Sequence, residues 1–266
     1  MDAERVKRID TAGVRAWRKR YEYEPRRWRL ALLRVFVDRL GIECLRPPAM
    51  LPPDEARATE KAMIARLQGF GCRVPQILAE DADAIVISDL GPTLASACKR
   101  EPDAAARAKL VASGFDALAK LHACGGWLNQ AFARNLTVAD GRIGFIDLDQ
   151  DPTTVMSVPA AQARDLLLYV YSTARFFESD LRGYSERISQ QLAHEPERVR
   201  QTLEDALRRL AWLAPLAPVC GRDLRALANL IALRAPVPAR RWKLFAGIAV
   251  LASGAVAVWL ALRLFA

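Results

Sequence analysis

Leu121-His122-Ala123-Cys124-Gly125-Gly126-Trp127-Leu128-Asn129-Gln130-Ala131-Phe132-Ala133-Arg134-Asn135-Leu136-Thr137-Val138-Ala139-Asp140-Gly141-Arg142-Ile143-Gly144-Phe145-Ile146-Asp147-Leu148-Asp149-Gln150-Asp151-Pro152 is the stretch on which the reading of this chain turns. It reads as a helix end, a polar loop, a tight hairpin and a carboxylate cluster. Leu136–Val138 and Ile143–Ile146 are β-prone. Between them, Asp140-Gly141 is a pair that tolerates the positive φ of a two-residue turn. Pairing of the two runs brings Asn135, at the start of the first, next to Asp147, at the end of the second. An amide oxygen and a carboxylate are both hard ligands suited to Mg²⁺. A second reading stays open on geometry alone: Asn135 as a loop cap and Asp147 as a solvated strand end.

The order of these residues resembles the catalytic core of the protein-kinase-like fold, nearest to the bacterial lipopolysaccharide (Kdo/heptose) kinases and the RIO-like kinases. In those families a helix ends in Leu-His-x-x-Gly, a loop His-Gly-Asp-x-x-x-x-Asn comes next, and a hairpin leads to Ile-Asp-Phe. Leu121-His122-Ala123-Cys124-Gly125 matches the helix end. The resemblance implies that Asn135 and Asp147 are the metal-binding pair and that ATP and Mg²⁺ are the cofactors. The loop triplet is Leu128-Asn129-Gln130, so Gln130 stands at the position of the catalytic Asp. A neutral amide is no base at pH 7, although it can orient a nucleophile, and phosphoryl transfer relies largely on positioning. Three readings are open: Gln130 orients the acceptor, Asp149 or Asp151 supplies the base, or the chain binds without transferring phosphate.

Flanking segments extend the resemblance. Residues 54–70 predict an amphipathic helix with Met63, Ile64 and Leu67 on one face, ended by Gly69 and Gly71. As the counterpart of the kinase αC helix, it offers Glu60 as the partner of an ATP-contacting lysine; a solvated helix charge is the competing reading. Val74–Leu78 reads as a strand entry, and residues 84–94 as a buried strand running into a Gly-Pro turn, with Asp89 a turn former. No Gly-x-Gly-x-x-Gly occurs before residue 60. No lysine stands on Ile42–Arg46, the strand expected before the helix, which leaves Arg46 as the substitute, with different phosphate geometry. Downstream, Asp165 opens an apolar helix. The resemblance gives it the role of holding the catalytic-loop backbone, compatible with simple dipole stabilisation. Residues 183–211 and 221–234 predict further amphipathic helices.

Leu244 to Leu262 is an uncharged run of 19 residues, roughly 28 Å long as a helix. It comes after Arg240-Arg241-Trp242-Lys243, which predicts a single-pass C-terminal anchor with the globular part cytoplasmic. That places the protein at a bacterial inner membrane. Residues 1–30 are Arg-rich and carry no apolar stretch of the signal-peptide kind. The net charge is +9, and residues 1–40 hold twelve Lys/Arg against six Asp/Glu, interleaved with Trp17, Tyr21, Tyr23 and Trp28. Such a mixture suits anionic lipid head groups at a bilayer and makes nucleic acid unnecessary as a partner. The five cysteines have no metal-binding spacing, which suits a reducing compartment.

The expected fold is α+β: an abbreviated two-lobe kinase-like architecture. It comprises a basic helical region over 1–40, a small β-containing N-lobe over 41–94 and a helical C-lobe over 95–235. A basic linker, 236–243, and a transmembrane helix, 244–262, complete it. The expected function is a membrane-anchored kinase-like phosphotransferase with a lipid-linked sugar, such as a lipopolysaccharide precursor, or a protein as acceptor. The alternative is a pseudokinase scaffold. The sugar rests on family analogy, because a fold does not fix a substrate.

Overall fold

The computed structural model of the chain describes residues 5–11, 13–22, 34, 35, 37–211 and 222–234. Two strands open it, β1 (Val6–Thr11) and β2 (Val14–Arg20), paired antiparallel from Val6↔Lys19 to Thr11↔Val14. This corrects the helical expectation for residues 1–40 over the two strands; residues 34, 35 and 37–40 are helical, and 23–33 lie outside the described residues. The runs are too rich in Arg and Lys to read as strands from hydropathy, yet β2 is an internal strand. A 3₁₀ turn, Glu43–Leu45, stands where Ile42–Arg46 was expected to be a strand. Next come the long helix α1 (Pro53–Gly69), β3 (Ile77–Glu80) and β4 (Ala84–Ser88). The four strands form one antiparallel sheet in the order β1-β2-β4-β3. The continuous apolar run Ala84–Ile87 is buried on β4, an internal strand whose Ile85 and Ile87 pack with Tyr21, Trp17 and Ala56. β3 is an exposed edge.

α1 begins with Pro53, whose fixed φ suits the first helical position, and Asp54 and Glu55 in the first turn complement the dipole. Its buried residues are Glu60, Met63, Ile64 and Leu67. That is an i, i+3, i+4, i+7 stripe, so Glu60 lies on the apolar face and not on a solvated one. The helix ends at a left-handed Gly71 (φ 71°), with the Cys72 amide bonded back to the Leu67 carbonyl.

Among the described residues, the elements that follow are helices and one hairpin. α2 (Leu94–Arg100) and α3 (Ala104–Ala123) lead to β5 (Leu136–Ala139) and β6 (Arg142–Phe145). Asp140 and Gly141 have φ of 53° and 69°, and Ala139 pairs with Arg142, so this is the expected two-residue turn. After a 3₁₀ turn, Pro152–Thr154, come α4 (Val158–Ala174), α5 (Leu181–Leu192), α6 (Glu197–Arg209) and α7 (Arg222–Arg234). α4 is the axis of this half. It is buried nearly all round and packs against α3, α6 and α7. The main core runs continuously from Met63 and Leu67 of α1 through Phe115, Leu118 and Leu136 to Leu166, Tyr169 and Leu203.

Among the described residues no helix is long and apolar enough to cross a membrane. The run 244–262, with its linker 236–243, lies outside the described residues. The expected transmembrane helix, and the inner-membrane placement drawn from it, are corrected on that finding. The architecture that stands is α+β, a small antiparallel sheet followed by helices.

Candidate functional site

The site is built where β2, α1 and the end of the β5–β6 hairpin meet. Lys19 of β2 is 4% exposed, an unusual place for a lysine unless it is paired. Its Nζ lies 2.8 Å from Glu60 Oε2, 2.8 Å from Asp147 Oδ1 and 3.2 Å from Asp149 Oδ2. One ammonium thus joins the sheet, the long helix and the segment after the hairpin. The hydroxyl of Tyr21, two residues further along the chain, donates to the same Glu60 oxygen at 2.6 Å.

This packing couples the charges. Burial would lower the Lys19 pKa, but Asp147, Asp149 and Glu60 outweigh it and hold it well above the ordinary value. The Lys19 ammonium holds the Asp147 carboxyl below the usual range, against burial. Burial pushes Glu60 up, against the pull of Lys19. Asp147 is ionised at neutral pH, and its side chain is 36% exposed, so one face is open to a ligand.

The hairpin does what its spacing predicts. The Ile146 amide bonds to the Asn135 carbonyl at 2.9 Å, and Asn135 Nδ2 reaches Asp147 Oδ2 at 3.4 Å. The same Nδ2 donates to the Gln130 carbonyl at 3.0 Å, which ties the loop to the pair. Asp147 has φ 63° and Asn129 has φ 138°. Two non-glycine residues in sparsely populated backbone regions, at one site, are held there by their surroundings. Gln130 is half-buried and directs Nε2 toward Gln150 Oε1 at 3.4 Å, an oxygen that also accepts from Asn129 Nδ2 at 2.7 Å.

Below the loop, α4 supplies its scaffold. Asp165, fully buried, accepts from the amides of Leu128 (2.7 Å) and Asn129 (3.0 Å). Gln162 donates to the carbonyls of His122 and Gly126. His122 Nδ1 lies 2.7 Å from Glu195 Oε2, and Nε2 faces Asp165 Oδ2 at 3.5 Å, an ion-pair distance. Burial alone would lower the His122 pKa; its contacts with Asp165 and Glu195 raise it to about 9.

The structure brings Glu60, Gln130, Asn135 and Asp147 into one region and leaves Arg46 out. Arg46 Nε binds Asp38 Oδ1 at 2.7 Å on the surface, and its carbonyl accepts from Arg164. The substitution of Arg46 for a phosphate-contacting lysine is therefore corrected: the buried lysine is Lys19. Sequence reasoning missed it because Arg18 and Arg20 flank it and the triplet reads as a solvated basic run. The signal that could have found it is the alternation Trp17, Lys19, Tyr21 after the Gly13 turn, together with a Glu60 on an apolar stripe that needs a cation. Asp89 is the expected turn former, accepting from the Gly91 amide.

The donor chemistry fits a magnesium ion. Asp147 offers a carboxylate, and Asn135 an amide whose Oδ1 is a hard ligand once the side chain turns, since its Nδ2 now faces Asp147 Oδ2. Among the described residues no group of three or more His, Cys, Asp or Glu forms an all-protein cage, and Mg²⁺ characteristically takes one or two protein carboxylates plus substrate phosphates. Comparison with known proteins adds nothing to the geometry: no protein-family model matches the chain, and no curated protein matches it in sequence.

Proposed function

We propose that this chain is a kinase-like phosphotransferase of atypical kind that takes a magnesium nucleoside triphosphate at the Lys19–Glu60–Asp147 cluster. The observation that carries this reading is the buried Lys19, bonded at once to Glu60 and Asp147. In the kinase-like resemblance, a lysine on the sheet and a glutamate on the long helix form the pair that orients nucleotide phosphates. The resemblance rests on the loop, the hairpin and the helix of Glu60. Lys19 lies outside all three, so its position against Glu60 is independent support. Asp165 lies on the loop amides, where the resemblance expects it, and this also supports the reading.

Each residue then has a chemical task. Lys19 supplies a fixed positive charge to phosphate oxygens, and Glu60 prevents it from swinging away. Asp147 and Asn135 would hold the metal, which on binding neutralises charge on the phosphates. Gln130 orients the acceptor hydroxyl. Transfer forms a bond between the acceptor oxygen and the terminal phosphorus and breaks the bond to the leaving diphosphate. The hydroxyl proton passes to water, since Gln130 cannot take it. Resemblance to the lipopolysaccharide kinases makes a sugar hydroxyl of an envelope precursor the acceptor class to test first.

One observation favours a second reading, nucleotide binding without transfer. The two carboxylates that could replace the missing base are both engaged. Asp149 Oδ2 is bonded to Lys19 and Arg5. Asp151 Oδ1 accepts from the Trp127 indole and from the amide and hydroxyl of Thr153, capping a 3₁₀ turn. Calorimetric titration of the full chain with Mg–ATP, paired with an ADP-release assay, separates the readings. The phosphotransferase reading predicts saturable binding lost in Asp147→Ala, and turnover that falls at least tenfold in Gln130→Ala. Binding with no turnover favours the second reading, and no binding overturns both.

A further inference from the structure

A second cation points at one of the same carboxylates, Asp149. Arg5, just ahead of β1, places Nη2 3.1 Å from Asp149 Oδ2, the very oxygen that Lys19 Nζ approaches at 3.2 Å. One carboxylate oxygen therefore holds an ammonium and a guanidinium side by side. The backbone fixes the base of the arginine, because its carbonyl accepts from the Arg20 amide at 2.8 Å, one residue beyond Lys19. Its side chain is 33% exposed, so the guanidinium is reachable from solvent. Its Nε is buried with no hydrogen-bond partner among the described residues. A donor left unpaired in this way is costly unless a ligand or ordered water satisfies it. Its charge also acts on Asp147, the residue that would hold the metal.

Each phosphate group of a triphosphate can take a cation or hydrogen-bond donors of its own. In kinase-like sites a glycine-rich loop covers the phosphates with backbone amides, and no Gly-x-Gly-x-x-Gly occurs before residue 60 of this chain. Guanidinium is well matched to that work, because its planar fork offers several donors to phosphate oxygens at once. We propose that Arg5 is a phosphate-contacting residue of this site, set beside Lys19 by their shared bond to Asp149, so that the pair selects a polyphosphate over a monophosphate or a nucleoside. The proposal rests on the nucleotide reading above. Asp149 is then a positioning residue: it touches no substrate but sets the spacing of the two cations.

The test compares affinity across ligands that differ only in phosphate count. Full-length protein and the variants Arg5→Gln and Arg5→Lys are titrated with Mg–ATP, Mg–ADP, AMP and adenosine, with a thermal melt recorded for each variant. Loss of one charge-assisted phosphate contact predicts about tenfold weaker Mg–ATP binding in Arg5→Gln. It also predicts partial recovery in Arg5→Lys and unchanged adenosine binding. In the unaltered chain, ¹⁵N spectra of the arginine side chains give a readout free of folding effects: the Arg5 Nε signal shifts with ATP and not with adenosine. Wild-type binding of Mg–ATP with an unshifted Arg5 signal and an unaffected Arg5→Gln overturns this inference and leaves the nucleotide reading intact. Failure of the unaltered chain to bind any of the four overturns both. Equal weakening toward ATP and adenosine overturns the phosphate contact and makes Arg5 structural.

Discussion

Lys19 holds three carboxylates together, and the loss of any one of them leaves the ammonium buried with fewer partners. Glu60 is 1% exposed and bonded to both Lys19 and Tyr21. Replacing it by alanine strands the Tyr21 hydroxyl and removes one of the three charges around the ammonium. Breaking a buried pair by removing one partner costs about 3–5 kcal/mol. Because Asp147 and Asp149 remain on Lys19, Glu60→Ala is expected at the low end, about 3 kcal/mol by urea unfolding. A loss below about 1 kcal/mol would show that the pair contributes little to the fold. Core packing gives a second expectation at this scale. Leu166 on α4 is fully buried, so Leu166→Ala is predicted to cost about 2–5 kcal/mol, measured the same way.

At the scale of elements, the β5–β6 hairpin is the piece that brings Asn135 and Asp147 together. Two of its glycines should respond differently. Gly141 has φ 69° in the turn and open space around a would-be Cβ, so Gly141→Ala costs only backbone strain, about 1 kcal/mol. A Cβ on Gly144 would meet Thr137 Oγ1 at 2.7 Å, Leu90 Cδ1 at 3.0 Å and the Arg73 carbonyl at 3.1 Å. Gly144→Ala therefore pushes the hairpin from its seat and costs about 1–3 kcal/mol. Because Asn135 and Asp147 stand at the hairpin's base, it should also weaken Mg–ATP binding, whereas Gly141→Ala should not. Thermal melts and calorimetric titrations of the two variants check this, and equal effects on binding would contradict it.

The hairpin was legible in the sequence because its information is local: a turn pair, two β-prone runs and the polar residues at their ends. α1 and the buried strand β4 were legible for the same reason, through periodicity and a continuous apolar run. What escaped was non-local. The β1–β2 hairpin is an Arg-rich ribbon whose place in the sheet depends on pairing with β4, far along the chain, from Ala16↔Ser88 to Arg20↔Ala84. No window of sequence records that. Lys19 was hidden with it. The spacing of Glu60 to Met63, Ile64 and Leu67 puts it on the buried face, and without Lys19 in view a solvated charge stayed open as its reading.

For the whole molecule, the buried triad His122, Asp165 and Glu195 connects α3, α4 and the segment before α6. His122 has its pKa raised to about 9 in the folded chain, above the roughly 6.5 of an unfolded histidine. A raised folded pKa means stability that is fully present below about pH 6.5 and lost as pH rises through about 9. The denaturation midpoint should fall over that window in the unaltered chain. In His122→Gln the fall should flatten, and an unchanged slope would remove the imidazolium from the account. The same triad places Asp165 on the amides of Leu128 and Asn129, so the pH dependence of stability and the order of the loop that carries Gln130 are expected to move together.

Lys19, and not Arg46, is the cation proposed to receive nucleotide phosphates. Calorimetric titration of Mg–ATP into the full chain, Lys19→Met, Lys19→Arg and Arg46→Ala, each confirmed folded by circular dichroism, tests this most directly. The expected result is binding by the unaltered chain and by Arg46→Ala with equal affinity, at least tenfold weakening in Lys19→Arg, and loss in Lys19→Met. Undiminished binding in folded Lys19→Met, or loss in Arg46→Ala, would contradict it.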